Sequence, residues 1–269
     1  MRKLDRLGWA VGTSLRYHDV RIGLRSTDPD SLSGLSDLMP AGTIPLARGP
    51  VDRLYSVIRG GEVRGSRRYH IVYADHVRIA RTFDWNEVKD ALQTDMEMFV
   101  AGACRDRVFV HAGVVGLDGR AIVIPGRSGS GKTTLVQAFV RAGAEYLSDE
   151  YAVVDSRGRV HAFPRQPVVR SEDGTRHRQS KESFRFATPL KPLPLGLVAV
   201  VPYNAGESFR TRDISPARGA LELMKNAPAA RSRPDMILHV LTRAASGARA
   251  VQGRRGDADS AAEALRRML

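Results

Sequence analysis

Residues 121–134 have the sequence AIVIPGRSGSGKTT, in which a short apolar run leads into a glycine-rich loop. The segment Gly126–Thr133 satisfies the pattern G-x-x-x-x-G-K-[ST] of the phosphate-binding loop, or P-loop. Glycine lets the backbone turn tightly, so successive N–H groups can point at phosphate oxygens where the next helix begins. The pattern therefore predicts a β-strand, an anion-binding loop and a helix, in that order.

The flanking residues support this prediction, because Ala121–Ile124 is apolar enough for a buried strand and a helix is predicted from Lys132 to about Ala142. Lys132 would place its charge near the β- and γ-phosphates of ATP, and the Thr133 hydroxyl would be a ligand of Mg²⁺. The candidate nucleotide-binding residues are Gly126, Arg127, Ser128, Gly129, Ser130, Gly131, Lys132, Thr133 and Thr134. The alternatives are a loop of the same shape that binds another anion, or a degenerate site.

Two adjacent acidic residues, Asp149 and Glu150, follow the next predicted strand, Ala144–Leu147. Parallel strands of one sheet end at the same edge, so we expect this pair to lie beside the P-loop. A carboxylate there can hold Mg²⁺ or accept the proton of an attacking hydroxyl, and two acids could divide these tasks. The simpler alternative is a solvated loop that precedes a β-hairpin.

His111 differs from the other histidines in its position along the chain. It lies midway along the predicted strand Arg107–Val115, which immediately precedes the strand of the P-loop. We expect it to contact the phosphates or to tune the acidic pair. A histidine in a strand is more often an ordinary packed residue, and that interpretation is given to His18, His70, His76, His161, His177 and His239.

The chain as a whole is predicted to be an α/β protein in two parts. Residues 1–104 are predicted to form a β-rich part that ends in a helix, from an N-cap at Asp84 to about Cys104. Residues 105–269 are predicted to form a P-loop core with a mixed sheet and helices. In the helix after Asp84, one face carries Val88, Leu92, Met96, Phe99 and Val100, a stripe predicted to pack in the core. Further strands are predicted at Val20–Leu24, Ala152–Asp155, Arg159–Phe163 and Gly196–Val201, and Tyr69–Ala74 and Val77–Phe83 are predicted to pair about a tight turn. Loops are predicted at Gln166–Arg185 and, with one short strand, at Asp28–Gly49. Helices are predicted from Ser215 and over Asp235–Thr242 and Asp257–Leu269.

Composition excludes several classes of protein. Hydrophobic residues make up 42% of the 269 residues and charged residues 26%, which is typical of a globular chain and not of a disordered one. The apolar runs are too short to span a bilayer and the first residues lack a signal-peptide core, so we expect a cytoplasmic protein without a membrane segment. The single cysteine, Cys104, excludes a disulfide framework and a cysteine-based zinc site.

The formal net charge is +13, and only six of the 42 basic residues are lysine. This excess of arginine can reflect codon bias, or it can indicate an acidic or phosphorylated partner. Nucleic acid is disfavoured, because the arginines are spread along the chain and aromatic residues make up only 6% of it. The basic stretch Arg165–Arg185 could recruit an acidic peptide or could form a solvated face.

The order of these features resembles the catalytic domain of HPr kinase/phosphorylase. The resemblance covers about Val108–Pro167, through His111-Ala112-Gly113, the strand Ala121–Pro125, the P-loop, and Gly143 through Ser148-Asp149-Glu150. The sequence is more similar still to shorter HPr-kinase-like proteins, some of them encoded beside ribosomally made precursor peptides such as lasso peptides. The resemblance implies a fold related to phosphoenolpyruvate carboxykinase and a kinase that transfers the γ-phosphate of ATP to a serine.

The resemblance also implies a role for each matching residue. Lys132 and Thr133 match the ligands of the nucleotide and of Mg²⁺, and Asp149 matches the aspartate that deprotonates the serine. Glu150 stands where the family has a second, metal-binding aspartate, and His111 matches a histidine near the phosphates. The implied partners are a peptide or small-protein acceptor, for example a ribosomal precursor peptide, and further copies of the chain, because the family includes hexamers.

The sequence departs from the family in three places. Glu150 replaces the second aspartate, Ala112 stands where the bifunctional enzymes have glycine, and the arginine-bearing segment of the phosphorylase is not found. We therefore predict a serine kinase without the reverse reaction and without HPr as its substrate, with an arginine such as Arg127 balancing charge in the transition state.

Two alternatives stay open beside the kinase. One is a nucleotide-driven switch or ATPase, although the chain lacks an N-K-x-D guanine motif and an intact transporter signature. The other is a non-catalytic binding protein that keeps the loop for recognition of a partner. A substitution at Lys132 separates this last class from the other two, because a pure binding protein would not depend on its charge.

Overall fold

The computed structural model describes residues 4–36, 38–40, 42–47, 49–63, 65–164, 168–170, 176–178 and 191–269. The chain divides into two compact units, Met1–Arg105 and Asp106–Leu269. The stretches predicted as a basic loop, Gln166–Arg185 and Arg165–Arg185, lie mostly outside the described residues. Their described parts are two three-residue strands that pair with each other.

The first unit is built on a six-stranded sheet with the order β3-β1-β2-β4-β7-β8. Its strands and helices are β1 (Val11–Tyr17), β2 (Val20–Ser26), α1 (Ser31–Ser36), β3 (Ile44–Leu46), β4 (Arg53–Ile58), β5 (Gly61–Val63), β6 (Ser66–Arg68), β7 (His70–Ala74), β8 (Val77–Thr82) and α2 (Trp85–Ala103). Strands β2 and β4 are parallel, and the other neighbours in the sheet are antiparallel. Strands β5 and β6 form a separate hairpin. The predicted hairpin of β7 and β8 is confirmed.

Helix α2 begins at the predicted residue. Asp84 has an extended backbone, and its side chain accepts a hydrogen bond from the Asn86 N–H at 2.8 Å, so it caps the first turn. The apolar residues recur every three or four positions and are buried on one face: Val88, Leu92, Met96 and Val100. The predicted core-packing role of this stripe is therefore confirmed.

The short strand predicted within Asp28–Gly49 is present as β3, whereas Ser31–Ser36 forms helix α1, so the prediction of a loop is wrong there. Helix α1 holds the fully buried Leu35, and the hydroxyls of Ser26 and Ser31 share a buried hydrogen bond of 2.6 Å at its start. Serine and glycine have weak helix propensity in isolation. Burial of Leu35 supplies the tertiary stabilisation that the local sequence does not.

The second unit is built on an eight-stranded mixed sheet with the order β10-β9-β12-β13-β16-β18-β17, and β11 pairs with β9 beside this path. Its elements are β9 (Val108–Leu117), β10 (Arg120–Pro125), α3 (Lys132–Arg141), β11 (Glu145–Ser148), β12 (Tyr151–Val154), β13 (Arg159–His161), β14 (Val168–Arg170), β15 (Arg176–Arg178), β16 (Leu193–Val200), β17 (Arg210–Ile214), α4 (Pro216–Met224), α5 (Pro234–Ala245), β18 (Arg249–Arg254) and α6 (Ala258–Arg266). Strand β10 pairs with both β9 and β16. Since β9, β12, β13 and β16 also pair in succession, these five strands form a closed ring of pairings. The predicted α/β class with a mixed sheet is confirmed.

Helices cover both faces of this sheet. Helices α3 and α6 pack on one face around a core that includes Ile122, Phe139 and Leu265. Helices α4 and α5 pack on the other face around a core that includes Val123 and Leu241. Strands β10, β16 and β18 run parallel, so their carboxyl ends lie at the same edge. Among the described residues, none of the helices has the length and apolarity needed to cross a membrane.

Candidate functional site

The loop Gly126–Gly131 joins the end of β10 to the start of α3. Gly131 has a φ of +82°, a left-handed conformation that favours glycine, and a Cβ there would lie 2.5 Å from Nη2 of Arg255. A Cβ on Gly126 would lie 2.6 Å from Oγ of Ser130. Glycine is therefore needed at both ends of the loop, by conformation at one and by space at both.

The ammonium group of Lys132 lies inside this loop. Lys132 is only 7% exposed, and its Nζ donates to the carbonyls of Gly126 at 2.8 Å and Arg127 at 2.9 Å. Burial lowers the pKa of Lys132, and the nearby charges of Glu150 and Asp149 oppose that shift. The group is a buried cation whose present partners are neutral carbonyls, so an anion at the loop would be a stronger partner.

Asp149 connects the end of β11 to the first turn of α3. It is 4% exposed, and its Oδ1 accepts a hydrogen bond from the Tyr146 hydroxyl at 2.9 Å. Its Oδ2 accepts one from the Thr133 hydroxyl at 3.3 Å. Strand β11 runs antiparallel to β9, which runs antiparallel to β10, so β11 and β10 point the same way with β9 between them. This direction brings Asp149 to the P-loop edge, as the sequence predicted.

Glu150 and His111 form a pair next to Asp149. The distance from Nε2 of His111 to Oε1 of Glu150 is 3.3 Å, and both side chains are about one quarter exposed. The backbone sets this pair, because the Ala112 N–H donates to the Glu150 carbonyl at 3.0 Å and the Gly126 N–H donates to the His111 carbonyl at 3.4 Å. The structure thus places His111 against one member of the acidic pair, while its two predicted roles, contact with the phosphates or tuning of the pair, stay predictions.

The remaining predicted residues lie on the solvent side of the loop. Arg127, Ser128, Gly129 and Thr134 are exposed. The guanidinium of Arg127 makes no hydrogen bond or ion pair with a described residue. Arg127 contacts Lys132 through its backbone carbonyl. The structure brings together Lys132, Thr133, Asp149, Glu150 and His111.

Arg255 joins this site, and sequence reasoning missed it. Its side chain is 1% exposed, and Nη2 donates to the Gly131 carbonyl at 2.6 Å, while Nη1 donates to the Gly256 carbonyl at 3.2 Å. Its Nε is buried without a hydrogen-bond partner among the described residues. Burial lowers the pKa of Arg255 below its usual value. No local motif marks this arginine, because it reaches the P-loop only through the parallel alignment of β18 with β16.

Tyr203 lies beside Arg255 at the same edge of the sheet. Its N–H donates to the Ser130 carbonyl at 3.1 Å, and the guanidinium of Arg255 lies 5.6 Å from the centre of its ring. The side chain is 50% exposed. The buried strand predicted at Gly196–Val201 was the signal that could have placed this residue, since the chain must leave that strand at the P-loop edge.

The donor set at this edge fits a magnesium ion. The Thr133 hydroxyl and the carboxylates of Asp149 and Glu150 are oxygen ligands, the type that Mg²⁺ prefers. The same edge offers the Lys132 ammonium and the N–H groups at the start of α3 to an anion. The arrangement can therefore hold a polyphosphate with its metal ion beside a buried carboxylate.

No protein-family model matches this chain, and no curated protein matches it.

Proposed function

We propose that this protein is an ATP-dependent phosphotransferase that moves the γ-phosphate to a hydroxyl, most plausibly the serine of a peptide or small protein. The observation that carries the proposal is the buried carboxylate of Asp149. It accepts a hydrogen bond from the Thr133 hydroxyl at 3.3 Å, and its negative charge favours the protonated form of Lys132. A loop that only bound an anion would not need a buried carboxylate at its mouth. The resemblance to HPr-kinase-like proteins supports the same reaction.

Lys132 and the loop backbone would bind the triphosphate. The ammonium would exchange the carbonyls of Gly126 and Arg127 for phosphate oxygens, which are charged and bind it more strongly. Thr133, Asp149 and Glu150 would hold Mg²⁺, whose charge offsets that of the phosphates during transfer. Arg255 would keep the loop in shape through the Gly131 carbonyl.

Asp149 would act as the base for the acceptor. The serine proton would pass to the Asp149 carboxylate while the serine oxygen bonds to the γ-phosphorus. The bond from that phosphorus to the bridging oxygen would break, and ADP would leave with the electron pair. The Tyr146 hydroxyl holds one oxygen of the carboxylate, at 2.9 Å, and so fixes its orientation.

His111 would orient Glu150. An imidazole within 3.3 Å of a carboxylate restrains the rotamer of that carboxylate, which matters for a metal ligand. Arg127 is exposed on the loop and is available to an incoming phosphate. We place this activity in the cytoplasm, which supplies ATP and keeps thiols such as that of the single cysteine, Cys104, reduced.

Transfer of label from γ-labelled ATP with Mg²⁺ tests the proposal. The acceptors are the products of neighbouring genes, among them any short precursor peptide that contains serine, and a mixed pool of serine peptides. We expect label on a hydroxyl with the unaltered chain, and loss of it in Lys132→Ala and Asp149→Asn. Asp259→Asn is the matched control, because this exposed aspartate on α6 pairs with Arg141 at the surface, at 2.6 Å.

Separate measurements of ATP binding and ADP release make the test decisive. If ATP binds but no label moves and no ADP forms, the kinase proposal is wrong and a binding protein is favoured. If ADP forms without a labelled acceptor, the result favours the switch or ATPase. If Asp149→Asn transfers label at the normal rate, Asp149 is not the base.

A further inference from the structure

Four side chains in the first unit form one continuous stack. The rings of Tyr69 and Phe83 are stacked with their centres 3.8 Å apart and their planes 22° from parallel. The guanidinium of Arg81 lies 3.9 Å from the centre of the Tyr69 ring, and that of Arg67 lies 4.6 Å from the centre of the Phe83 ring. Two groups cannot share one ring face at these distances, so both faces of each ring are covered.

This stack borders a cavity of about 470 Å³. The cavity is lined by Glu62, Arg67, Arg68, His70 and Phe83 with two glycines of the β5–β6 hairpin. Its volume falls within the range of roughly 300–1,000 Å³ that is common for ligand sites. The hairpin and strand β8 thus bring three kinds of group to one place: guanidinium ions, aromatic rings and a carboxylate.

The arginines of the stack have unused hydrogen-bond donors. Arg67, Arg68 and Arg81 are exposed, and none of them makes a hydrogen bond or ion pair with a described residue. A guanidinium that stacks on a ring contacts it with its flat face, so the N–H groups on its edge stay available for hydrogen bonds. These N–H groups match the two oxygens of a carboxylate. The ring contact also restricts the rotamers of Arg67 and Arg81, so less entropy is lost when a ligand binds.

The positive charge of the cavity comes from its arginines. His70 is buried, and its Nδ1 accepts a hydrogen bond from the Gly60 N–H at 2.9 Å. Burial lowers the pKa of His70, and the charges of Arg59 and Arg67 lower it further. The imidazole is therefore uncharged at physiological pH and forms part of the wall of the cavity. Arg59 lies 3.7 Å from the centre of the Trp85 ring and adds a further cation near this wall.

We infer that this surface, formed by Arg67, Arg68, Arg81, Tyr69 and Phe83, binds an acidic segment of a polypeptide. The inference goes beyond the proposed phosphotransfer and does not depend on it. The charges are complementary, since three exposed arginines make no ion pair with a described residue and carboxylates are the side chains that pair with a guanidinium in two hydrogen bonds.

The details of the stack favour a peptide over a nucleic acid. Proteins that bind single strands stack bases on free aromatic faces, whereas the faces of Tyr69 and Phe83 are covered. Glu62 faces Arg67 across the hairpin and lines the same cavity, so a uniformly charged phosphate backbone would meet a like charge there. A peptide can place carboxylates at the arginines and a neutral or basic residue at Glu62.

Fluorescence anisotropy of a labelled ten-residue peptide of alternating Glu and Ala tests the inference. The full chain is used without ATP, at roughly 0.15 M salt so that long-range attraction to the net charge is screened. We expect saturable binding that weakens roughly tenfold in Arg67→Gln and in Arg81→Gln, since each removes a charge-assisted hydrogen-bonding group. Arg67→Lys keeps the positive charge but loses the planar guanidinium, so it should keep only part of the affinity.

Arg16→Gln is the matched control, because Arg16 is an exposed arginine on β1 of the same unit. Thermal unfolding of every variant is recorded, so that loss of fold is not mistaken for loss of the site. Equal weakening in Arg16→Gln, or no binding at all, would overturn the inference. Stronger binding of a labelled ten-nucleotide thymidine strand that depends on Arg67 and Arg81 would assign the surface to nucleic acid instead.

Discussion

The Thr133 hydroxyl donates a hydrogen bond to Oδ2 of Asp149 at 3.3 Å, which ties the first turn of α3 to the loop after β11. The two residues lie 16 positions apart in the chain and meet because β11 and β10 point the same way. The carboxylate is thereby held at the mouth of the P-loop.

Removal of this hydroxyl separates its chemical role from its structural role. We expect Thr133→Val to lower phosphotransfer by about 10²-fold or more, as loss of a group that orients charge in the site does. The loss of one hydrogen bond should lower the free energy of unfolding by only about 0.5–1.5 kcal/mol. Transfer of label and urea denaturation measure the two effects. Thr133→Ser keeps the hydroxyl and should keep the activity, so an inactive serine variant would contradict this role.

Close packing of β9 against α3 predicts a specific sensitivity at Gly113. A Cβ there would lie 2.6 Å from Cγ2 of Val136, so alanine forces either the strand or the helix to move. We expect Gly113→Ala to lower the free energy of unfolding by about 1–3 kcal/mol, as overpacking of a core does. Urea denaturation measures this change. Gly247→Ala is the control, since nothing lies within 4 Å of its Cβ position, and a similar loss there would refute the packing argument.

The low pKa of His70 predicts that the first unit is less stable in mild acid. The unfolded chain has the ordinary pKa of about 6.5, so as pH falls through 6.5 it takes up a proton before the folded unit does. The free energy of unfolding should therefore fall as pH drops below 6.5, until the native pKa is reached. Its contribution should be constant at higher pH.

The two tryptophans of the chain, Trp9 and Trp85, both lie in the first unit, so their fluorescence follows its unfolding. Denaturation curves at several pH values should show a shallower fall in His70→Asn than in the unaltered chain. The slope against pH is compared, because the substitution also changes the absolute stability. An identical slope in both proteins would mean that His70 does not cause the effect.

The contact of Arg255 with the Gly131 carbonyl predicts that a distant strand supports the P-loop. Arg255→Met keeps the length of the side chain but leaves two carbonyls without their donors, so we expect a loss of about 1–3 kcal/mol in unfolding free energy. We also expect weaker binding of both ATP and inorganic tripolyphosphate, because the loop itself is altered. Titration calorimetry measures both ligands.

The neighbouring residue supplies the control for that substitution. Arg254 is largely exposed, and among the described residues its side chain pairs with Glu207 alone, at 3.4 Å. Surface pairs of this kind contribute little, so Arg254→Met should change neither quantity noticeably. If the two methionine variants behave alike, the loop does not depend on Arg255.

Local patterns were enough to predict the elements that carry their own signals. The apolar run before Gly126 predicted β10, and the cap at Asp84 with its buried stripe predicted α2. In both cases the local preference and the tertiary packing agree. Helix α1 was missed because its stability comes from burial of Leu35 and not from its own residues.

The site was predictable where motif residues are close in sequence and not where topology assembles it. Lys132, Thr133 and Asp149 lie within one strand–loop–helix–strand segment, so their meeting could be inferred. Arg255 reaches the loop only through two successive parallel pairings, which the sequence does not reveal. The arginine–aromatic stack was missed for a different reason. Its four residues are close in sequence, but the strand register that brings Tyr69 beside Phe83 was not predicted.

The span between Gly131 and Arg255 has a consequence for how the protein is made. Their hydrogen bond joins residues 124 positions apart, and β16 and β18 must both pair before it can form. Contacts of such long range form late in folding, and a chain still on the ribosome lacks them. The first unit can fold while the rest is being synthesised, but the P-loop receives its buried arginine only after β18 has emerged. Until then, the Gly131 carbonyl lacks the hydrogen bond that Arg255 donates to it in the complete chain.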